Sequence, residues 1–151
     1  MLFRSRGRPN TSGAWAVLLT AVEGLAVVGE KAEAAKLYPV ALEAIQTGAL
    51  FRPYDSRLLD TVAGIAATCG GKWAEAEDHF RTALRRTEEL PHIIEQPEVR
   101  RFYARMLLDR NSPGDRDKAR QLLTEAIEIY RRLGMPKHIE MAEALLREAG
   151  R

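Results

Sequence analysis

Four things are scarce in this chain of 151 residues, and each scarcity removes a class of function. A single cysteine, Cys69, cannot close an internal disulfide, so a disulfide-stapled scaffold is excluded and a reducing, cytoplasmic setting fits best. His79, His92 and His138 are the only histidines, too few beside one cysteine for a Cys/His zinc site. Long hydrophobic runs are missing too. The most apolar stretch, about 14–28, is interrupted by Thr20 and Glu23 and falls short of the roughly twenty residues that span a bilayer. Charge of one sign is also nearly absent: the net +2 comes from Arg4, Arg6 and Arg8 in an acid-free first ten residues. Without them 20 basic side chains face 21 acidic ones, which argues against a nucleic-acid-binding face. What remains, 46% hydrophobic and 29% charged, is the composition of a folded chain with one sizeable core.

The N-terminal arginines are not read as an export signal, because the break at 9–13 separates them from the apolar run, which continues into a repeat. Residues 1–13 are expected to be a non-native or flexible start. Met1 to Ser5 can be encoded by ATG followed by the end of a sequencing adapter, CTC-TTC-CGA-TCT, and are set aside from fold reasoning.

The chain repeats itself. Gly29, Gly71 and Gly114 are each followed five residues later by an alanine, Ala34, Ala76 and Ala119. Four residues beyond stand Tyr38, Phe80 and Leu123, and three further on Ala41, Ala83 and Ala126. The units are offset by 42 residues from Gly29 to Gly71 and by 43 from Gly71 to Gly114. Steps of four and three put small, large and small residues on one helical face, the composition of closely packed helices. A glycine before each such helix suits a tight turn with positive φ. The pattern predicts seven helices, at about 14–28, 31–46, 55–69, 73–90, 97–111, 116–133 and 137–148, with Pro91 stopping the fourth and Pro97 opening the fifth. No stretch sustains period-two alternation, so no sheet is predicted.

The middle unit, with Gly64 seven residues before Gly71 and with Ala76, Phe80 and Ala83 on the second helix, resembles the tetratricopeptide repeat. The first unit has Val22 at the small position and the third has Leu123 for the aromatic. The stretch Glu-Leu-Pro-His-Ile-Ile-Glu-Gln-Pro-Glu-Val-Arg-Arg-Phe-Tyr-Ala-Arg-Met-Leu-Leu-Asp-Arg at 89–110 is similar to the longer-unit, tetratricopeptide-like tails of bacterial signalling ATPases that carry an adenylate/guanylate cyclase domain. The resemblance covers roughly 9–147. It implies an all-α, right-handed solenoid of three hairpins plus a C-terminal capping helix, serving as a sensor or assembly scaffold while upstream domains do the nucleotide chemistry. A tail of the same kind on a helix-turn-helix transcriptional activator with a P-loop ATPase module is the alternative, and a stand-alone enzyme a more distant one.

The first helix is apolar nearly all round and needs cover on several sides, whereas the last keeps one apolar stripe and one charged face. The chain is therefore expected to be the C-terminal fragment of a larger protein. Some of Trp15, Val17, Leu18, Val22 and Leu25 should then lie exposed and promote self-association.

Candidate chemistry is sparse. Gly24 to Lys31 superficially matches a phosphate-binding loop, but Glu30 precedes Lys31 and Ala32 stands where a magnesium-binding hydroxyl is needed, so a helix end is expected. Glu75 and His79 lie one turn apart, which is too little for a metal site. His92 is expected to shape a connector, and His138 has no partner legible in sequence. Arg100, Arg101 and Arg105 are the candidate partner-binding residues, as a groove for an acidic peptide; the competing reading is a solvated face paired with acids such as Glu98 and Asp109. Trp15, Trp73 and Tyr130 read as packing residues, Cys69 as a buried inert thiol, and Glu77 as a surface position where arginine is nearly silent. No catalytic, cofactor-binding or metal-ligating residue is expected, and the partners implied are a protein or upstream domains of the same chain, with no nucleic acid and no membrane.

Overall fold

The computed structural model describes residues 12–151, with the side chains of 12–14 left aside. The expectations for Met1 to Ser5, Arg4, Arg6 and Arg8 lie outside the described residues; of the stretch 1–13, Ser12 and Gly13 belong to a helix. The architecture is all-helical: α1 (Ser12–Val27), α2 (Lys31–Lys36), α3 (Tyr38–Gln46), α4 (Leu59–Cys69), α5 (Trp73–Glu89), α6 (Glu95–Arg110), α7 (Asp115–Leu133) and α8 (Pro136–Ala149). Among the described residues there is no strand, only an isolated antiparallel bridge between Phe51 and Leu58. The chain divides into two compact units, Met1–Lys72 and Trp73–Arg151. The boundary falls just after Gly71, so the two helices of the middle sequence repeat, α4 and α5, belong to different units.

In the first unit α4 is the centre, buried from Leu59 to Thr68, and α1, α2 and α3 pack on it. The predicted helix at 31–46 is interrupted at Leu37, because Pro39 lacks an N–H and its ring crowds the carbonyl one turn back. Ala34, Tyr38 and Ala41 nevertheless stay on one buried face. α1 and α4 end alike: Gly29 and Gly71 take φ of 89° and 67°, and the next residue's N–H reaches back five residues, Glu30 to the Leu25 carbonyl and Lys72 to that of Ala67, both at 2.9 Å.

The predicted start of the third helix at 55–56 is corrected to Leu59. Residues 51–58 fold back on themselves instead, with the Arg52 N–H donating to the Arg57 carbonyl at 2.7 Å and the Leu59 N–H to that of Leu50 at 2.9 Å. Asp55 accepts the Arg52 guanidinium at 3.0 Å rather than capping a helix.

In the second unit α6 is central, packed against α5 and α7, while α8 covers α7 and touches α6. α5 buries Ala76, Phe80, Ala83 and Thr87, and α7 buries Ala119, Leu123 and Ala126, so small residues let backbones approach while a large one fills between. Full burial of a side chain such as Phe80 contributes about 1.5–3 kcal/mol. α6 starts two residues before the predicted Pro97, because a proline in the first turn forfeits no intrahelical bond; the His92 carbonyl accepts from Glu95 and Gln96 at 3.1 and 3.2 Å. The third repeat's extra residue has a structural counterpart. α6 ends on Asn111 in the left-handed region (φ 51°), and Gly114 (φ 85°) opens α7 instead of closing α6.

Candidate functional site

The three arginines proposed from sequence stand on α6, and the structure gives each a carboxylate. Arg101 is 7% exposed, so the solvated-face reading is corrected for it: its Nη2 lies 2.9 Å from Glu98 Oε2 and its Nε 3.2 Å from the Tyr130 hydroxyl. Tyr130 donates in turn to Glu98, and His138 of α8 places Nε2 3.9 Å from Glu98 Oε1 and its ring 5.3 Å from that of Tyr130. The histidine with no partner legible in sequence thus belongs to a cluster tying α6, α7 and α8. Burial works against the Arg101 charge, yet Glu98 and Tyr130 hold its pKa above the ordinary value. Burial and the Glu98 carboxylate push the Tyr130 phenol up.

Arg100 donates from Nε to Glu125 of α7 at 2.9 Å and from Nη1 to the Gln96 carbonyl at 3.1 Å. Burial raises the Glu125 pKa, but the hydrogen bonds from Arg100 and Gln121 together with the Arg100 charge outweigh it, leaving the group below the usual carboxylate value. Arg105 spans Asp109 at 2.8 Å and Glu148 of α8 at 2.9 Å. The patch is therefore a set of helix-to-helix clamps. An acidic peptide would have to displace carboxylates already in place, two of which, Glu98 and Asp109, are themselves shielded from water.

The structure adds a hub that sequence reasoning missed. Glu77 of α5 accepts from Tyr103 at 2.6 Å, Arg81 at 2.8 Å, Lys118 at 3.1 Å and Arg110 at 2.7 Å, joining α5, α6 and α7. Arg110 also grips Asp115 at 2.7 Å, and Asp115 accepts the Ser112 N–H at 2.8 Å. Partial burial opposes the Glu77 charge, but Tyr103, Arg110 and Lys118 outweigh it and bring the carboxyl down to about 2. The Arg110 hydrogen bond likewise holds Asp115 low. The expectation that Glu77→Arg is nearly silent is corrected: a fourth cation would stand among Arg81, Arg110 and Lys118. Only the Arg81 contact, four residues on, has a local sequence signal.

The first unit has its own cluster. The buried Arg52 guanidinium donates to the Leu19 carbonyl at 3.1 Å, to both Asp55 oxygens and to Glu23 at 3.3 Å, and Arg57 closes on Glu23 at 3.0 Å. Burial raises the Asp55 pKa, but the hydrogen bonds from Arg52 and the Arg57 N–H, with the charges of both arginines, together outweigh it and leave the group below its ordinary value.

The remaining candidates are quickly placed. Trp15 and Tyr130 are buried and Trp73 is half-buried. Cys69 is half-buried at the end of α4, which corrects the expected buried thiol. His79 and His92 are half-buried on α5 and the α5–α6 connector. Gly24 to Lys31 is the end of α1, a turn and the start of α2. Of the five residues expected on the exposed side of the first helix, Trp15 and Val22 are buried, Leu18 and Leu25 half-buried, and Val17 exposed. An open cleft of about 590 Å³ beside the α6–α7 turn is lined by Asn111, Arg116, Asp117, Arg120, Gly150 and Arg151, among others. Arg116 already donates to the Glu148 carbonyl at 3.3 Å, and Arg120 pairs with Asp117. Among the described residues no group of three or more His, Cys, Asp or Glu side chains is placed to hold a metal, and no helix is long and apolar enough to cross a membrane.

No protein-family model, curated protein or solved structure matches the chain.

Proposed function

We infer that this chain is a non-catalytic interaction or sensor module: a right-handed, tetratricopeptide-like solenoid forming the tail of a cytoplasmic signalling ATPase with an adenylate/guanylate cyclase domain. One observation carries the reading. The same small–large–small face is buried three times, as Ala34/Tyr38/Ala41, Ala76/Phe80/Ala83 and Ala119/Leu123/Ala126, at the period of the sequence repeat. Units that bury one recurrent face against their neighbours build arrays whose broad surfaces serve binding. Its partner is a protein or the upstream part of its own polypeptide.

Three measurements test this. In a crystal structure the helices should stack with a right-handed superhelical twist; a left-handed or non-repeating arrangement overturns the solenoid. With Mg²⁺ and ATP or GTP the chain should neither hydrolyse nor cyclise the nucleotide, and turnover abolished by a single polar substitution overturns the non-catalytic role. Sequencing the gene upstream of codon 6 should reveal cyclase and P-loop ATPase domains, and a frame without them overturns the tail assignment.

A further inference from the structure

Between residues 15 and 27 of α1, four positions are exposed: Val17, Thr20, Gly24 and Val27. Steps of three, four and three are those of the a and d positions of a heptad, and at 100° per residue they fall within an arc of about 80°. Val17 and Val27 are 69% and 64% exposed, and a Cβ added at Gly24 would meet nothing within 4 Å. Glycine weakens a helix interior relative to alanine, and among the described residues nothing uses the space it leaves. The seam carries no charge. The one acid of α1, Glu23, is taken by Arg52 and Arg57.

We propose that this seam pairs with the same seam of a second copy of the chain, as a short antiparallel two-stranded coil with its two-fold axis at the level of residue 22. A two-fold interface must be self-complementary, and this spacing reads the same from either end. Val17 meets the partner's Val27, and Thr20 fills the space over the partner's Gly24. A parallel pair would stack glycine on glycine and leave a void. An uncharged face offers no counter-ion to an acidic or basic segment, whereas two copies meet without like-charge repulsion. The contact is small: the 16 residues of α1 extend about 24 Å, and one helix pair of that length buries less than the roughly 1,200 Å² of a stable dimer. The association is therefore weak and concentration-dependent.

The proposal rests on the surface of α1 and not on the tetratricopeptide reading, so its failure leaves that reading to its own tests. Sedimentation equilibrium of the whole chain, as Cys69→Ser, from about 10 µM to about 1 mM should show a monomer–dimer equilibrium. Gly24→Leu closes the seam with a better helix former. It should melt no lower than the parent at dilute concentration while its dimerisation constant falls at least about tenfold. Mixing Thr20→Cys and Gly24→Cys chains with a short thiol-to-thiol cross-linker should favour the mixed 20–24 product over either homologous one. A monomer at every concentration, undiminished dimerisation of Gly24→Leu, or predominance of the 24–24 product would each overturn the proposal.

Discussion

Two clusters of charge, one in each unit, are built with opposite polarity. In the first unit a buried cation, Arg52, is surrounded by acceptors, two of them from the loop it braces; in the second a shielded anion, Glu77, gathers donors from three helices. The Arg52 cluster holds a local feature, the turn at 51–58, where Tyr54 and Ser56 take φ of 78° and 57°. The Glu77 cluster joins α5, α6 and α7, which also bury the repeat's apolar faces. Removing the first should loosen a loop; removing the second should weaken the whole unit.

The largest effect should come from packing, and it sets the scale for both clusters. Ala76 is fully buried on α5, where Ala76→Arg would force a long cation between packed helices, at a cost of about 3–5 kcal/mol. Thermal denaturation should show the second unit melting far below the wild type. Equal melting would remove the repeat register from which Ala76, Phe80 and Ala83 were read as one face.

Glu77→Arg comes next, at about 2–4 kcal/mol, since Arg110 and Lys118 lose their shared carboxylate and gain a like charge. The same group makes the comparison pH-dependent. Its folded pKa, about 2, lies below the ordinary glutamate value of 4.5, so its stabilisation is present above about pH 4.5 and is lost as pH falls towards 2. Because water reaches part of the carboxylate, about 2 kcal/mol is expected rather than the full shift. Glu77→Gln should flatten the acid limb of the stability profile. An unchanged limb would show that the carboxylate is not what joins the three helices.

Arg52→Ala should cost about 1–3 kcal/mol, less than a fully buried pair, because Asp55 and Glu23 can rehydrate. Hydrogen exchange should accelerate at the amides of Arg52 and Leu59, and α2 and α3 should be little changed. Acceleration throughout the first unit would erase the distinction between a loop brace and a helix weld.

The contrast also separates what a sequence displays from what it hides. Helical faces are periodic, so Ala34, Tyr38, Phe80 and Ala126 are legible without coordinates, as are the turn glycines Gly29 and Gly71. The partners of Glu77 lie 26, 33 and 41 residues away, and no local rule selects Tyr103, Arg110 and Lys118 from the other polar residues at similar distances. The start of α4 is obscured for the same reason. Asp55 and Ser56 look like helix caps until Arg52 claims the Asp55 carboxylate, and Arg52 is held by the Leu19 carbonyl, 33 residues back. Arg101 shows the limit most plainly: its ion-pair partner Glu98, three residues back, is legible in sequence, but its contact with Tyr130 of α7, 29 residues on, and the burial of the pair are not.

The smallest effect isolates backbone conformation from packing within the first unit. A Cβ added at Gly24 or at Gly29 meets nothing within 4 Å, so neither substitution by alanine creates a clash. Gly24 lies inside α1, where alanine costs the unfolded chain freedom and suits the helix; Gly24→Ala should raise stability by about 0.5–1 kcal/mol. Gly29 sits at φ 89°, where an L side chain is strained, and Gly29→Ala should lower it by about 1 kcal/mol. Chemical denaturation at low micromolar concentration keeps any association of α1 out of the measurement. Opposite signs at two glycines five residues apart, with equal space around both, assign the difference to φ alone. If both variants were destabilised alike, the helical conformation at Gly24 would be wrong, and with it the spacing of Val17, Thr20 and Val27 along one seam.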